Sequence, residues 1–132
     1  DPAVWRRFNK TVVFPNPNYS DIQSFIRVAL DGSVKDNSIL PLISIFFIGE
    51  TYATIDKEIK SFRKRAILTA VPLDHLLKQF FEESVKSIDR SDKEKMRLLA
   101  KDLLLANVSQ RQTTSITGIS RPTLKKMLEE LV

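Results

Sequence analysis

The chain has 132 residues, of which 42% are hydrophobic, and carries a formal net charge of +5 at pH 7. This composition excludes a wholly disordered chain, because it supplies enough apolar surface for a core, and it favours a polyanionic partner, nucleic acid before an acidic membrane surface. The absence of cysteine excludes disulfide frameworks, thiolate metal sites and thiol nucleophiles; it is compatible with a reducing cytoplasm, where we expect the protein to reside.

Residues 1–18 predict an arm that precedes the helices. Pro15 and Pro17 interrupt any helix in this stretch, and Trp5, Arg6 and Arg7 stand before them. Basic arms reach into a DNA groove in some proteins, but we favour the alternative of a terminus that packs or stays disordered. The chain begins without methionine, which predicts that it is a trimmed piece.

Residues 19–90 predict a helical region that serves interaction or dimerisation. Ser20 is expected to cap a helix that extends to about residue 30. Residues 39–48 are almost continuously apolar, which suits either a buried strand or a buried helix. We favour the helix, because the chain offers no clear partner strand. The run is too short to span a bilayer and contains Pro41, so no transmembrane helix is expected.

Two longer amphipathic helices are predicted at residues 52–70 and 73–88, on either side of Pro72. The first carries a basic cluster, which is either a phosphate-binding surface or, as we favour, the solvated side of the helix. That cluster comprises Lys57, Lys60, Arg63, Lys64 and Arg65. The aromatic residues expected in the core are Phe46, Phe47, Phe80 and Phe81.

Residues 91–132 predict a separate three-helix unit. Ser91 and Glu94 have the S-x-x-E spacing of a capping box, which predicts a helix that extends to about residue 106. The joint at residues 89–92 contains neither glycine nor proline. We therefore expect the unit to pack against the preceding helices and not to hang from a flexible linker.

The segment 109–132 has the order of features found in a helix-turn-helix. Gly118 stands where a first helix must end, since glycine adopts a left-handed conformation at little cost. Ile119 supplies an apolar plug, Ser120 an N-cap whose hydroxyl can accept from an amide one turn later, and Pro122 a first-turn residue that needs no donor. The apolar stripe of the second helix is Leu124, Met127, Leu128 and Leu131.

Polar and basic residues are left on the other side of this second helix. Such residues near a helix N-terminus are typical of a recognition helix, in which the first side chains reach base edges and neighbouring cations hold phosphates. A glycine turn with an ordinary solvated basic helix is the alternative, since any bundle can contain one. The candidate DNA-binding residues are Gln110, Arg111, Gln112, Ser120, Arg121, Thr123, Lys125 and Lys126.

A family resemblance is carried by Gln110, Gly118, Ile119, Arg121, Thr123 and Leu124. This run resembles the helix-turn-helix of the factor-for-inversion-stimulation family and, more loosely, that of resolvase-type recombinases, over the last quarter of the chain. The resemblance implies that Arg121 and Thr123 meet bases or phosphates, while Lys125 and Lys126 meet the backbone.

The chain departs from that family in the helix before the glycine. The family usually has a small pair there, commonly Ala-Ala, followed by apolar residues. Here Ile116 is the one strong apolar contact, and it is expected to be supplemented by Val108 and Ile119. Its polar neighbours are Thr113, Thr114, Ser115 and Thr117.

No constellation for catalysis or metal binding stands out. His75 is the only histidine, so a serine triad would depend on it, and neither a zinc motif nor a glycine-rich phosphate loop is found. Carboxylates at helical spacing are most simply partners of lysine and arginine. We predict no enzyme activity, no metal and no cofactor.

The sequence therefore predicts an all-α protein, a helical bundle of about six helices with a C-terminal tri-helical helix-turn-helix unit. We expect it to bind double-stranded DNA sequence-specifically, as a transcriptional regulator or architectural factor, without a membrane. A homodimer is expected because one recognition helix reads only a few base pairs. Two alternatives stay open: a DNA-binding accessory module of a replication or recombination complex, and a nuclease-like or transferase-like enzyme.

Overall fold

The computed structural model describes residues 16–131, which form helices and turns without any strand. The all-α prediction is confirmed, with seven helices in this part of the chain where about six were expected. They are α1 (Tyr19–Ala29), α2 (Ile39–Ile45), α3 (Tyr52–Thr69), α4 (Leu73–Lys86), α5 (Lys93–Leu105), α6 (Gln110–Thr117) and α7 (Arg121–Leu131). None of these helices is both long and apolar enough to cross a membrane.

The predicted arm lies almost wholly outside the described residues. Of its 18 positions the structure describes 16–18, where the side-chain amide of Asn16 donates to the carbonyl of Gly49 at 2.9 Å. The interpretation of Trp5, Arg6 and Arg7 as a basic arm thus stays a prediction.

Helix α1 begins two residues earlier than the sequence predicts. The N-cap is Asn18, whose side-chain oxygen accepts from the amide of Asp21 at 2.8 Å. The prediction of Ser20 as the cap is therefore wrong. Asn and Ser are about equally good N-caps, so residue type alone does not distinguish between caps two positions apart.

Helix α5 is also capped by a different residue from the one predicted. Asp92 is its N-cap and accepts from the amide of Lys95 at 3.1 Å, so the capping box of Ser91 and Glu94 is wrong. The Ser91 hydroxyl instead donates to the carboxylate of Asp89 at 2.7 Å. This hydrogen bond lowers the pKa of the Asp89 carboxyl. A carboxylate at the cap also interacts favourably with the positive end of the helix dipole.

The apolar segment after residue 38 is a short buried helix, which confirms the favoured interpretation over a strand. Helix α2 packs against α1, α4 and α5 and so lies at the centre of the bundle. Ser44 is fully buried there, and its hydroxyl donates to the carbonyl of Leu40 at 2.7 Å. The helix ends at Ile45, and residues 46–49 form turns.

A main core and a smaller second core fill the protein. Helices α1–α5 supply the main core, in which the predicted aromatic residues cluster: Phe47 and Phe81 are buried, and Phe46 and Phe80 pack against them. The second core joins α5 to α7. Helix α5 contributes to both, through Leu103 to the first and Leu104 to the second. Helices α6 and α7 therefore pack onto the bundle through α5.

The five cations of the basic cluster of α3 are all exposed, and three of them make contacts within the described residues. Arg63 donates to the carbonyl of Ala29 at 3.1 Å and to the hydroxyl of Ser33 at 3.3 Å, and the Arg65 guanidinium lies 5.3 Å from the centre of the Phe62 ring. A further member of the cluster, Lys60, pairs with a carboxylate on its own helix. Arg63 is the member of the cluster with a hydrogen bond to another part of the chain, so the choice of a solvated helix side over a phosphate-binding surface stays a prediction.

Replacing Asp102 with asparagine should stabilise the protein at neutral pH. Burial raises the pKa of the Asp102 carboxyl, and the nearby charge of Lys101 lowers it less. Because its pKa is higher in the folded than in the unfolded state, Asp102 contributes most to stability below the ordinary carboxyl pKa. That contribution is lost as pH rises through the raised pKa. Because the group is half exposed, the gain from Asp102→Asn at pH 7 is small, roughly 0.5 kcal/mol.

Urea unfolding at two pH values measures this effect. The gain in stability should be present at pH 7. It should disappear at about pH 3, where the Asp102 carboxyl of the parent is largely protonated in both the folded and the unfolded state. The exposed Asp31 provides the control, since Asp31→Asn should change stability little at either pH. A gain from Asp102→Asn that persists in acid would contradict the burial explanation.

Candidate nucleic-acid interface

The connection between α6 and α7 is a glycine turn, as the sequence predicts. Gly118 has φ 76° and ψ 1°, a left-handed conformation, and its amide donates to the carbonyl of Thr114 at 2.7 Å. The position where its Cβ would stand has no atom within 4 Å. Glycine is therefore required here by backbone conformation and not by lack of space.

The Gly118→Val variant should lower the free energy of unfolding by about 1–2 kcal/mol, because a β-branched side chain is strained in a left-handed conformation. The Gly118→Asn variant is the matched control, since asparagine tolerates this conformation and there is room for its Cβ. Thermal and urea unfolding of the full chain measure both. A valine variant as stable as the asparagine variant would rule out the strain.

The first turn of α7 is built from Ser120, Pro122 and Thr123. The carbonyl of Ser120 accepts from the amide of Leu124 at 3.0 Å, which puts Ser120 at the predicted N-cap position. Its hydroxyl, however, is hydrogen-bonded to the Thr123 hydroxyl at 2.9 Å, where the sequence predicts an amide as the partner. Pro122 is in the first turn, where its missing donor costs nothing.

Helix α7 has one packing side and one solvent side. Leu124 is fully buried and Met127 nearly so, and Ile119 and Leu128 pack against the same small core. The predicted plug Ile119 and three residues of the predicted stripe are confirmed, whereas Leu131 is half-buried and lies outside this core. The predicted DNA-binding residues of this helix are all exposed: Arg121, Thr123, Lys125 and Lys126. Pro122, Glu129 and Glu130 are exposed as well.

Helix α6 packs through threonines and not mainly through its isoleucine. Thr113 and Thr117 are the buried residues, whereas Ile116 is half-buried against the main core. The Thr113 hydroxyl donates to the carbonyl of Ser109 at 2.9 Å, and the Thr117 hydroxyl to that of Thr113 at 2.7 Å. With the hydroxyls satisfied inside the helix, the methyl groups act as apolar surface. Ile116 does pack against the main core, with Val108, as expected; the sequence did not predict that the buried positions of α6 are threonines.

Thr114→Val should stabilise the protein by about 1 kcal/mol. The Thr114 hydroxyl is buried without a hydrogen-bond partner among residues 16–131, and an unsatisfied buried hydroxyl costs free energy that an isosteric methyl does not. Thr113→Val is the matched control, because it removes a hydroxyl that is bonded and should bring no such gain. Chemical denaturation of the two variants tests the difference; equal effects would contradict it.

The predicted DNA-binding residues at the N-terminus of α6 differ in their surroundings. Ser109 caps the helix, its hydroxyl accepting from the amide of Gln112 at 3.1 Å. Arg111 is exposed and Gln110 half-buried. Gln112 is also exposed, and it lines a crevice of about 610 Å³ together with His75 of α4.

A second crevice brings in cations that the sequence reasoning missed. It has a volume of about 360 Å³ and lies between the start of α5, the glycine turn and Thr123. The cations that line it are Arg90, Lys93 and Arg97. Lys93 and Arg97 are four residues apart, a signal that they share a helix face. The sequence pattern gives no sign that this face lies beside the turn.

Apart from Lys95, the exposed cations of α5–α7 form no ion pair within the part of the chain that the structure describes. The ion pairs there are Lys60 with Asp56 at 2.8 Å and Lys95 with Asp92 at 4.0 Å. Among the same residues, no group of histidine, cysteine or carboxylate side chains is arranged to hold a metal ion. What the region offers chemically is a set of cations and hydroxyls suited to an anionic partner.

No protein-family model, curated protein or solved structure matches the chain. The resemblance to the factor-for-inversion-stimulation family therefore stays a prediction, carried by the residues of the glycine turn and the start of α7.

Proposed function

We propose that the chain binds double-stranded DNA through α6 and α7, with the first turn of α7 in the major groove. The observation that carries the proposal is that α7, which follows the left-handed Gly118, has one buried side and one exposed, basic side. Leu124 and Met127 are buried against α5, while Arg121, Thr123 and Lys125 are exposed. A helix held by one side and basic on the other, at its N-terminal end, suits insertion into a groove.

The exposed residues have different roles in this proposal. Arg121 and Thr123, in the first turn, contact base edges, since the start of a recognition helix reaches deepest into the groove. Lys125 and Lys126 bind phosphates on either side. Arg111, near the N-terminus of α6, binds the backbone, where helix amides also favour an anion.

Two neighbouring residues support these contacts, and one predicted residue has no assigned role. Ser120 fixes the Thr123 hydroxyl through their hydrogen bond, and Gln110 is half-buried at the start of α6. We assign no base contact to Gln112, because it lines the crevice beside α4.

The role that fits best is a sequence-specific regulator or architectural factor that acts as a homodimer. One recognition helix contacts only a few base pairs, so a single unit has limited affinity and specificity. Two linked units gain affinity because the second binding event becomes intramolecular.

Selection of bound sequences from a random duplex pool tests the proposal. We expect enrichment of a short motif, and a half-site repeated about 10 base pairs apart if the dimer binds. The triple variant Arg121→Ala, Lys125→Ala, Lys126→Ala should lose roughly tenfold or more in affinity for the selected site. Lack of enrichment would contradict sequence-specific binding.

A matched triple variant separates this surface from net charge. Lys57, Lys64 and Lys86 are exposed cations of α3 and α4, and their replacement by alanine changes the charge of the chain equally. This control should bind the selected site nearly as well as the parent. Equal losses in the two triple variants would mean that overall charge, and not α7, determines binding.

A further inference from the structure

We propose that the crevice between the start of α5 and the glycine turn, here called the basic crevice, holds one phosphate of the DNA backbone. The inference rests on the proposed function and extends it to α5, which carries none of the residues assigned to DNA above. The basic crevice is lined by Arg90, Lys93, Arg97, Thr117, Gly118 and Thr123, with Met96 and Ile119 as apolar walls.

The charge of the basic crevice points to an anion. Three of its lining residues are cations and none is a carboxylate. Lys93 and Arg97 lie one turn apart on α5, and neither forms an ion pair among residues 16–131. Like charges one turn apart on a helix repel one another weakly, and the negative charge of an anion would offset that repulsion. A phosphate supplies that charge together with oxygens that accept from guanidinium and ammonium groups.

The packing holds the cations beside the turn. Met96, between Lys93 and Arg97 in the sequence, is buried in the main core, which fixes the rotation of α5. Arg90, in the loop before α5, donates to the carbonyl of Ile116 at 3.3 Å and so ties that loop to the end of α6. One of its five N–H donors is used in this way, and the fork can offer others to a phosphate.

The backbone of duplex DNA is the occupant that fits the location. Thr123 belongs both to the basic crevice and to the turn of α7 proposed to read bases. A phosphate bound there is therefore next to the groove that α7 enters. The three cations are also exposed, so the crevice can take a phosphate that remains part of a long polymer. Such a contact sets the register of the recognition helix without reading sequence.

Titrations of the full chain with the Arg97→Gln and Lys93→Gln variants test the basic crevice. Each variant should weaken binding to the selected duplex and to a scrambled duplex by the same factor, about three- to tenfold, and lower the salt slope by about one unit. The control is Arg27→Gln, which removes an exposed arginine from α1, a helix that packs against α2 and α3. It should leave affinity and slope unchanged.

The outcomes separate the basic crevice from the proposed function. If the parent binds DNA and both crevice variants behave like Arg27→Gln, the proposal that the basic crevice binds a phosphate is wrong, while the proposal of DNA binding stands. If the parent binds no duplex, the proposed function is wrong and the crevice inference falls with it. If the crevice variants lose affinity for the selected duplex alone, the substituted residue contacts a base, and the proposal that the crevice binds a phosphate is wrong.

A titration of the full chain with inorganic phosphate tests whether the basic crevice binds a free anion instead of the DNA backbone. Amide resonances of residues 117–121 and 123 should shift only at millimolar phosphate, because a single anion lacks the other contacts of the duplex. Saturation at micromolar phosphate would assign the crevice to a free phosphorylated compound and overturn the DNA backbone as its occupant.

Discussion

Duplex affinity should fall steeply as salt rises, with a log-log slope of about −3 to −6 per protomer. Each cation that neutralises a phosphate releases condensed counterions, and the slope counts these contacts. Arg111, Lys125 and Lys126, which the proposal places on phosphates, are exposed, and Lys93 and Arg97 of the basic crevice would add to them. A tenfold increase in salt should then reduce the binding constant on the order of 10³ to 10⁶.

Fluorescence anisotropy with a labelled duplex at a series of potassium chloride concentrations measures the slope. The variant that lacks Lys57, Lys64 and Lys86 should give the parental slope, because those lysines lie outside the proposed interface. Removing Arg121, Lys125 and Lys126 should reduce the slope by about two units, because Lys125 and Lys126 are the proposed phosphate contacts among them. A flat titration for the parent would exclude the proposed phosphate contacts.

The helices and the glycine turn could be predicted from sequence because they depend on local physics. The apolar spacing of Leu124 and Met127 marks the buried side of α7, and Gly118 marks the turn. Helix starts were less predictable, since several capping residues stand close together in the chain. Asn18 and Ser20 are both suitable N-caps for α1, as Ser91 and Asp92 are for α5, so small differences in geometry decide which one caps the helix.

The candidate site was predictable only where it lies on one element. The exposed residues of α7 follow from its apolar stripe, but the basic crevice joins α5 to the turn and to Thr123. That arrangement depends on how α5 packs, which spacing along the chain does not specify. Thr113 is a similar case: residue type predicts a polar position, yet its hydroxyl is satisfied within the helix and its side chain is fully buried.

Arg121→Ala should lower discrimination between the selected and a scrambled duplex, whereas Lys126→Ala should weaken both equally. Arg121 is the first residue of α7 and is exposed, and Lys126 lies more than a turn further along. A bidentate contact of an arginine with guanine contributes about 1–3 kcal/mol of discrimination, or roughly tenfold to a hundredfold. A lysine on a phosphate contributes to any sequence alike.

The two variants serve as controls for each other, because each removes one positive charge from the same helix. Titrations of the parent, Arg121→Ala and Lys126→Ala against both duplexes, at one fixed salt concentration, give the ratio of affinities for each protein. The ratio should fall for Arg121→Ala and stay at the parental value for Lys126→Ala. Equal losses on both duplexes for Arg121→Ala would show that this arginine holds only phosphate, and α7 would then bind DNA without reading bases through its first residue.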